Sequence, residues 1–288
     1  MMMHLVLERL SARALARVPE PAVVINDEAQ SAAFGDAGRE DGVLAFNYLY
    51  HALQITSVIA PGDTVLDLAC GPGNQLAAVA RLNPHARLIG LDASPAMLQQ
   101  AQATLQRCNI GNAELVPGDM AGLAAFRDAS VDCVFCTMSL HHLPDVGTLG
   151  RAMREARRVL RADGGAYVCD FGRLKRPATQ RYFARDWRQE QSAAFTQDYL
   201  QSLRAAFSVD ELTNAVAVLG GGGLQRRVTP LAPFMVIFRS RPRRAWSAQD
   251  QRNAGRLYAG LTADQKRKFR AFARWLRIAG CDLPLTLE

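Results

Sequence analysis

The sequence predicts a doubly wound α/β fold, and three observations carry that reading. Apolar runs beginning at Val65, Arg87, Ala113, Val131 and Ala166 alternate with stretches of helical periodicity, the order expected of parallel strands joined by crossover helices. The runs lack polar residues at alternate positions, so both faces of the sheet are covered. The first run, from Val65, ends in the glycine turn Cys70-Gly71-Pro72-Gly73 directly before a helical pattern. Such a turn leaves backbone N–H groups and the positive end of a helix dipole facing a ligand, and a side chain on either glycine would block the approach.

Taken in order, residues 4–17 read as a short helix ended by Pro19 and Pro21, with Arg9, Arg13 and Arg17 along a solvated face, and residues 22–42 as loop. A helix follows from Val43 to Ile59 and stops at Pro61-Gly62-Asp63, where it would cover the glycine turn from above. After the turn, Leu76, Val79 and Leu82 mark a helix face, and Arg87 to Asp92 reads as the second strand. Ser94 is an N-cap with Pro95 at the first helical position. The third strand is Ala113 to Val116, the fourth Val131 to Thr137, the next helix Val146 to Leu160, and the fifth strand Ala166 to Asp170 after a turn at Asp163-Gly164-Gly165.

Residues 175–207 form an aromatic-dotted insert with Tyr182, Phe183, Trp187, Phe195 and Tyr199, read as a helical lid beside the carboxyl ends of the strands. A capping box from Ser208 to Glu211 starts a further helix, and residues 225–230 and 234–239 read as paired strands. Beyond them, Ser247 to Asp250 and Thr262 to Gln265 open two more helices. The last of these sets Phe269, Phe272, Ala273, Leu276 and Ala279 against Lys266, Arg267, Arg270, Arg274 and Arg277 on the other face. The organisation is therefore a segment of residues 1–42, a main domain of 43–240 and a basic helical extension of 241–288.

Composition fits one main domain with additions: 288 residues, 49% apolar, with a net charge of +7. From Arg239 onward there are 12 Lys and Arg against 4 Asp and Glu, which is +8 and leaves −1 for the other 238 residues. The basic character is local. Of six cysteines, four lie in apolar runs or at their ends, so reduced buried thiols are expected. Cys133 and Cys136 are three apart in a strand and face opposite sides, which argues against a shared metal. The apolar run Leu5-Val6-Leu7 stops at Glu8-Arg9 and no stretch is long enough to span a bilayer, so a cytoplasmic protein is expected.

The chemistry concentrates at the carboxyl end of the first two strands. Asp67 precedes Gly71 by four residues, and Asp92 ends the second strand 19 residues after Gly73, the place where this fold holds a ribose diol. Leu76 stands where a dinucleotide fingerprint requires its third glycine. A carboxylate beside the turn suits a cofactor with an ammonium. On their own terms Asp67 and Asp92 also suit strand ends, Asp119 a Pro-Gly-Asp turn, and Met97 plain core.

These residues resemble the class I S-adenosyl-L-methionine (SAM)-dependent methyltransferases, in the branch of ubiquinone/menaquinone-type and many natural-product enzymes. The resemblance covers residues 43–240 and rests on Val65-Leu66-Asp67-Leu68-Ala69-Cys70-Gly71-Pro72-Gly73, on Asp92-Ala93-Ser94, on Gly118-Asp119-Met120, on Val131 to Leu143 with His141-His142, and on Arg158 to Gly165. It implies a Rossmann-like seven-stranded sheet with the last strand antiparallel and SAM as cofactor. Asp67, Ala69, Gly71 and Gly73 would hold its methionine end, and Asp92 the ribose. Ala93 and Met97 would pack on the adenine, Asp119 and Met120 would meet its edge, and Thr137 and Met138 would lie beside the methionine portion. Methyl transfer is a direct displacement that needs alignment and exclusion of water. Where the nucleophile enters protonated, His142, His141 and Asp170 are the candidate bases, with a structural histidine equally open. The expected function is methylation of a small-molecule acceptor on O, N or C, in small-molecule metabolism. Competing readings are an RNA or protein methyltransferase docked through the basic helices, and a non-enzymatic SAM-binding or partner-binding protein whose terminal helices form a homodimer.

Overall fold

The computed structural model describes residues 1–12, 15–21, 35–39, 42–185, 191–220 and 223–285. Most of the loop expected at 22–42, together with Arg13, Trp187, Gly221 and Gly222, lies outside the described residues.

Strands β1 (Thr64–Leu68), β2 (Arg87–Asp92), β3 (Ala113–Pro117), β4 (Val131–Thr137), β5 (Leu160–Asp170), β6 (Gln225–Val228) and β7 (Val236–Arg239) form one seven-stranded sheet in the order β3-β2-β1-β4-β5-β7-β6. β1 to β5 are parallel, and β7 runs antiparallel to both β5 and β6. The chain leaves β1 toward β2 on one side and is flanked by β4 on the other, so the switch point where this fold binds ligands lies at the carboxyl end of β1.

Side chains alternate between the two faces as strand geometry requires. Val65, Cys133, Phe135 and Tyr167 join one apolar core with helices α2 (Ala45–Thr56), α3 (Asn74–Leu82) and α10 (Ala263–Ile278). Leu66, Leu68, Val134, Cys136 and Val168 join the other with α5 (Val146–Val159) and α8 (Val209–Val216). Cys133 and Cys136 therefore face opposite layers, and all six cysteines are buried and held as thiols rather than in disulfides. The expected caps form: Ser94 accepts from the Met97 N–H at the start of α4 (Pro95–Arg107), and capping boxes close at Ser208/Glu211, Ser247/Asp250 and Thr262/Gln265. The last two boxes open α9 (Ala248–Ala259) and α10.

Two boundaries differ from expectation. The first helix, α1 (Met2–Leu10), stops well before residue 17; Ser11 is extended, and the Val18 N–H donates to the Arg204 carbonyl at 3.0 Å. Residues 15–20 are instead a non-helical strap, so Arg17 lies on no solvated helix face. β5 begins at Leu160 because Leu160 pairs with Val131 before the register shifts to Cys133 and Gly165. The Asp163-Gly164 turn is thus an irregularity within the strand rather than its boundary.

Candidate active site

β1 delivers Asp67 to the switch point, where its carboxylate is 1% exposed. The chain then bends sharply, with Ala69 at φ 61°, Gly71 at φ 52° and Gly73 at φ 77°. The two glycines do different work. A Cβ on Gly71 would project into open space, whereas one on Gly73 would meet Ala101 of α4 at 3.0 Å. Gly71 therefore leaves room at the turn, and Gly73 allows close packing of helices. This corrects the expectation that a side chain on either glycine would obstruct a ligand. Behind the turn the N-cap of α3 is Gly73, which has no side chain to cap the helix.

Asp92 is held at the end of β2 by two backbone donors, the Gly71 N–H at 2.8 Å and the Ser94 N–H at 2.9 Å. Asp119 accepts from the Ala121 N–H at 2.8 Å. Burial, then the neighbouring Asp92 charge, pushes the Asp67 carboxyl well above the usual carboxylate range. Its Oδ2 is buried with no hydrogen-bond partner among the described residues. Above it stands Tyr48 of α2, whose phenol is pushed up to about 12 by burial and by Asp67.

These residues border a cavity of about 280 Å³. Of the sequence-derived candidates, Asp67, Ala69, Gly71, Asp92, Ala93, Met97, Asp119, Met120, Thr137, Met138, His141 and His142 all line it; Gly73 and Asp170 do not. Met138 leaves β4 at φ 55°, a backbone state that a side chain adopts at some cost and that turns the chain into the short helix Leu140–His142. That turn brings both histidines to the cavity.

Asp170 sits behind His141 rather than in the cavity. Its Oδ1 receives the His141 Nδ1–H at 2.7 Å and its Oδ2 the His141 backbone N–H at 2.9 Å, with the side chains 3% and 1% exposed. Burial disfavours an imidazolium there, but the Asp170 charge and hydrogen bond outweigh it and raise the His141 pKa. Asp170 thus positions His141 and leaves Nε2 as its ring's other polar atom. His142 donates from Nδ1 to Glu20, whose other oxygen accepts from Ser202 Oγ at 2.9 Å. Burial opposes the Glu20 charge, yet the His142 hydrogen bond and charge win and lower its pKa.

Sequence reasoning missed Glu20, which is flanked by Pro19 and Pro21 and belongs to no periodic pattern. It also missed Arg17, which fastens the strap. Arg17 donates to the carbonyls of Ala205 at 2.6 Å, Pro144 at 2.5 Å, His141 at 2.9 Å and Leu143 at 2.5 Å, and its guanidinium lies 3.9 Å from the centre of the Phe207 ring. Glu20, His141 and His142 bring one ligand atom each to within 4.8 Å of the others, an arrangement the sequence reading did not foresee.

The segment expected as a lid divides into two helices with different surroundings. Phe195, Asp198, Tyr199 and Ser202 of α7 (Ala193–Ala205) line the cavity. α6 (Pro177–Arg185) is structural: Phe183 stacks on Phe234 at 4.1 Å, and Tyr182 stacks on His4 of α1 at 4.5 Å instead of closing over the site.

Residues 65–164, which contain the glycine turn and both histidines, match the family model described as a methyltransferase domain. That match spans 100 of the 288 residues. A trans-aconitate 2-methyltransferase of Escherichia coli O157:H7 is 37% identical over 83 residues, 29% of this chain and 30% of that protein. An uncharacterised 37.1 kDa protein of a Streptomyces fradiae transposon is 39% identical over 117 residues, 40% of this chain and 32% of that protein. The chain thus matches about a third of the length of these curated relatives. Two solved structures share the fold: a SAM-dependent methyltransferase from Aquifex aeolicus (TM-score 0.52, 15% identity, 74% of this chain and 97% of that one) and an O-methyltransferase family protein from Burkholderia thailandensis (TM-score 0.55, 16% identity, 74% and 59%).

SAM is the cofactor that the methyltransferase-domain match implies, and it supplies a methyl group on a positively charged sulfur. The residues present fit it. A buried carboxylate oxygen without a partner is costly unless a cation meets it, and the SAM ammonium is such a cation. The open space in front of Gly71 leaves the turn accessible. Among the described residues no helix is long and apolar enough to cross a membrane.

Proposed function

We propose that this protein transfers the methyl group of SAM to a small-molecule acceptor. The observation that carries the reading is a cavity lined by Asp67, whose Oδ2 has no hydrogen-bond partner among the described residues, by Met138, by the two histidines and by the aromatic side chains of α7. Asp67 would take the ammonium, Ala69 and Gly71 the backbone contacts at the turn, Asp92 the ribose hydroxyls, Ala93 and Met97 the adenine faces, and Asp119 and Met120 its edge. Gly73 would serve through the turn it shapes. Thr137 and Met138 would flank the methionine portion.

At the far end the chain's own groups position the acceptor and take its proton. His141, locked by Asp170, and His142, paired with Glu20, stand at the cavity wall where a protonated nucleophile would lose that proton. Phe171, Phe195 and Leu143 exclude water from the same end. The trans-aconitate methyltransferases favour a small acceptor over a macromolecule, and the walls that α2 and α7 give the cavity support the same choice. The test is calorimetric titration of SAM and S-adenosylhomocysteine into the full chain, followed by detection of S-adenosylhomocysteine formed with small-molecule, RNA and protein acceptors. Both cofactor forms are expected to bind with one site per chain. Absence of binding, or turnover confined to RNA or protein, sinks the reading.

A further inference from the structure

Two elements far apart in sequence bring metal-ligating side chains to one point beside the cavity. Glu20 arrives on the strap, His141 and His142 on the turn after β4, and one ligand atom of each lies within 4.8 Å of the other two. Two imidazoles and one carboxylate are a donor set that holds a divalent transition metal and leaves coordination positions open. Each donor has support of its own. Asp170 accepts from His141 Nδ1 at 2.7 Å and from the His141 backbone N–H at 2.9 Å, which leaves Nε2 as that ring's ligand atom. A carboxylate behind the ring is the outer support that metal-bound histidines carry. Ser202 Oγ of α7 donates to one Glu20 oxygen at 2.9 Å, and the other Glu20 oxygen faces His142 Nδ1. The point is shielded but not sealed: the side chains of Glu20 and His141 are 6% and 3% exposed, His142 keeps 20%, and both histidines line the cavity. It also suits positive charge, since burial opposes such a charge at His141 and Asp170, Glu20 and Asp198 outweigh burial. A metal ion competes with protons for a place of that kind.

Resting on the methyl-transfer reading above, we infer that Glu20, His141 and His142 form a site for one divalent transition-metal ion, and that this ion takes an oxygen of the acceptor from the cavity. Three ligands leave at least one position of a four-coordinate ion for that oxygen. The ion does at this wall what the metal-free histidines would do as bases, because a hydroxyl bound to it loses its proton more readily. The step balances within the groups named. The hydroxyl proton leaves to solvent, and an oxygen lone pair forms the O–C bond. The methyl carbon's bond to sulfur breaks as that bond forms, its electron pair staying on sulfur, so the products are the methyl ether or ester and S-adenosylhomocysteine. Glu20 then has a stated use: the strap carries the one carboxylate of the site.

The test starts from the full chain stripped with a chelator and titrates Zn²⁺ and Mg²⁺ by calorimetry. One Zn²⁺ per chain is expected to bind, and Mg²⁺, which prefers oxygen ligands, is not expected to displace it. Glu20→Gln and His142→Gln are each expected to weaken Zn²⁺ by at least the roughly tenfold that even a change outside the ligand shell costs. Co²⁺ added to the stripped wild-type chain is the second measurement, readable if a variant fails to fold. It is expected to show the bands of an ion with nitrogen and oxygen ligands, without the intense thiolate band that a cysteine ligand would give. Acetohydroxamate, a probe with two donor oxygens, is expected to bind the Zn²⁺-loaded chain at least roughly tenfold tighter than the stripped chain, because the ion supplies its contacts. The inference is overturned if no Zn²⁺ binds, if a folded variant keeps wild-type affinity, if the thiolate band appears, or if acetohydroxamate binds equally with and without the ion. Zn²⁺ binding is read without SAM, so the two readings separate. A chain that binds SAM but no Zn²⁺ overturns the metal site alone, whereas one that binds Zn²⁺ but neither SAM nor S-adenosylhomocysteine keeps the site and sinks methyl transfer.

Discussion

Asp67 is the residue at which stability and binding pull in opposite directions. Its folded pKa is raised, so the folded chain binds a proton that the unfolded chain releases, and stability falls as pH rises from the ordinary carboxylate value through the folded one. A bound ammonium reverses this by favouring the charged form. Cofactor binding should therefore release protons between the bound and free pKa values, with affinity climbing as pH rises through that window. Asp67→Asn keeps the shape and removes the charge. It is expected to raise the melting temperature of the free chain while weakening SAM by about 1.5–3 kcal/mol, the worth of a hydrogen bond to a charged group. That is roughly ten- to a hundredfold in Kd. Calorimetry in buffers of different ionisation enthalpy should show proton release in the wild type and none in the variant. A variant that loses stability and affinity together would mark Asp67 as a strand-end cap instead.

At the scale of elements, the strap makes the acceptor end depend on a segment distant in sequence. Arg17 pins residues 15–20 to the turn after β4 and to the end of α7, and Glu20 follows three residues later. Arg17→Ala leaves buried carbonyls without donors and is expected to cost roughly 2–3 kcal/mol. Because the damage falls on Glu20 and His142, turnover should drop while SAM affinity holds. Hydrogen exchange at 140–145 should accelerate, and unchanged exchange there would show that the strap is not what holds the histidines. This element also marks where sequence reading fails. Strands β1 to β4, the glycine turn and Asp92 were legible because period, turn chemistry and strand-end acids are local signals. So were Ser94, Ser208, Ser247 and Thr262 as caps. The spacing of Arg9, Arg13 and Arg17 suggested a helix face, but tertiary hydrogen bonds to Arg17 override that local pattern. Glu20 reaches His142, and Asp198 and Ser202 come to the histidines' cavity, only through the fold, across sequence separations that no periodicity records. Tyr182 and Tyr199 look alike in the sequence, and only packing against His4 or Phe171 tells them apart.

For the whole molecule, the basic carboxyl-terminal helices are built into the core. Phe269 and Leu276 of α10 are 2% and 1% exposed and share one apolar cluster with Leu53 and Tyr167. Tyr50 donates to the Cys281 carbonyl at 3.0 Å, and Phe272 lies edge-on to Tyr50 at 5.1 Å. Trp275 extends the Phe183–Phe234 stack at 5.6 Å from Phe234. Deleting residues 245–288 would therefore open the layer that seats α2 and Tyr48, and loss of RNA retention in such a truncation would report unfolding rather than a docking site. Phe269→Ala alone is expected to cost about 3–5 kcal/mol. The charged face is a separate matter. Arg267, Arg274 and Arg277 are exposed, whereas Arg270 donates to the Tyr258 hydroxyl at 3.0 Å and Lys266 to the Ala259 carbonyl at 2.9 Å. Changing Arg267, Arg274 and Arg277 together to Gln is expected to leave the denaturation midpoint, SAM affinity and small-acceptor turnover close to wild type, as surface substitutions away from buried networks do. A loss of turnover in that variant, with the fold intact by calorimetry, would show that the substrate docks through the basic face, and it would overturn the small-molecule reading for the molecule as a whole.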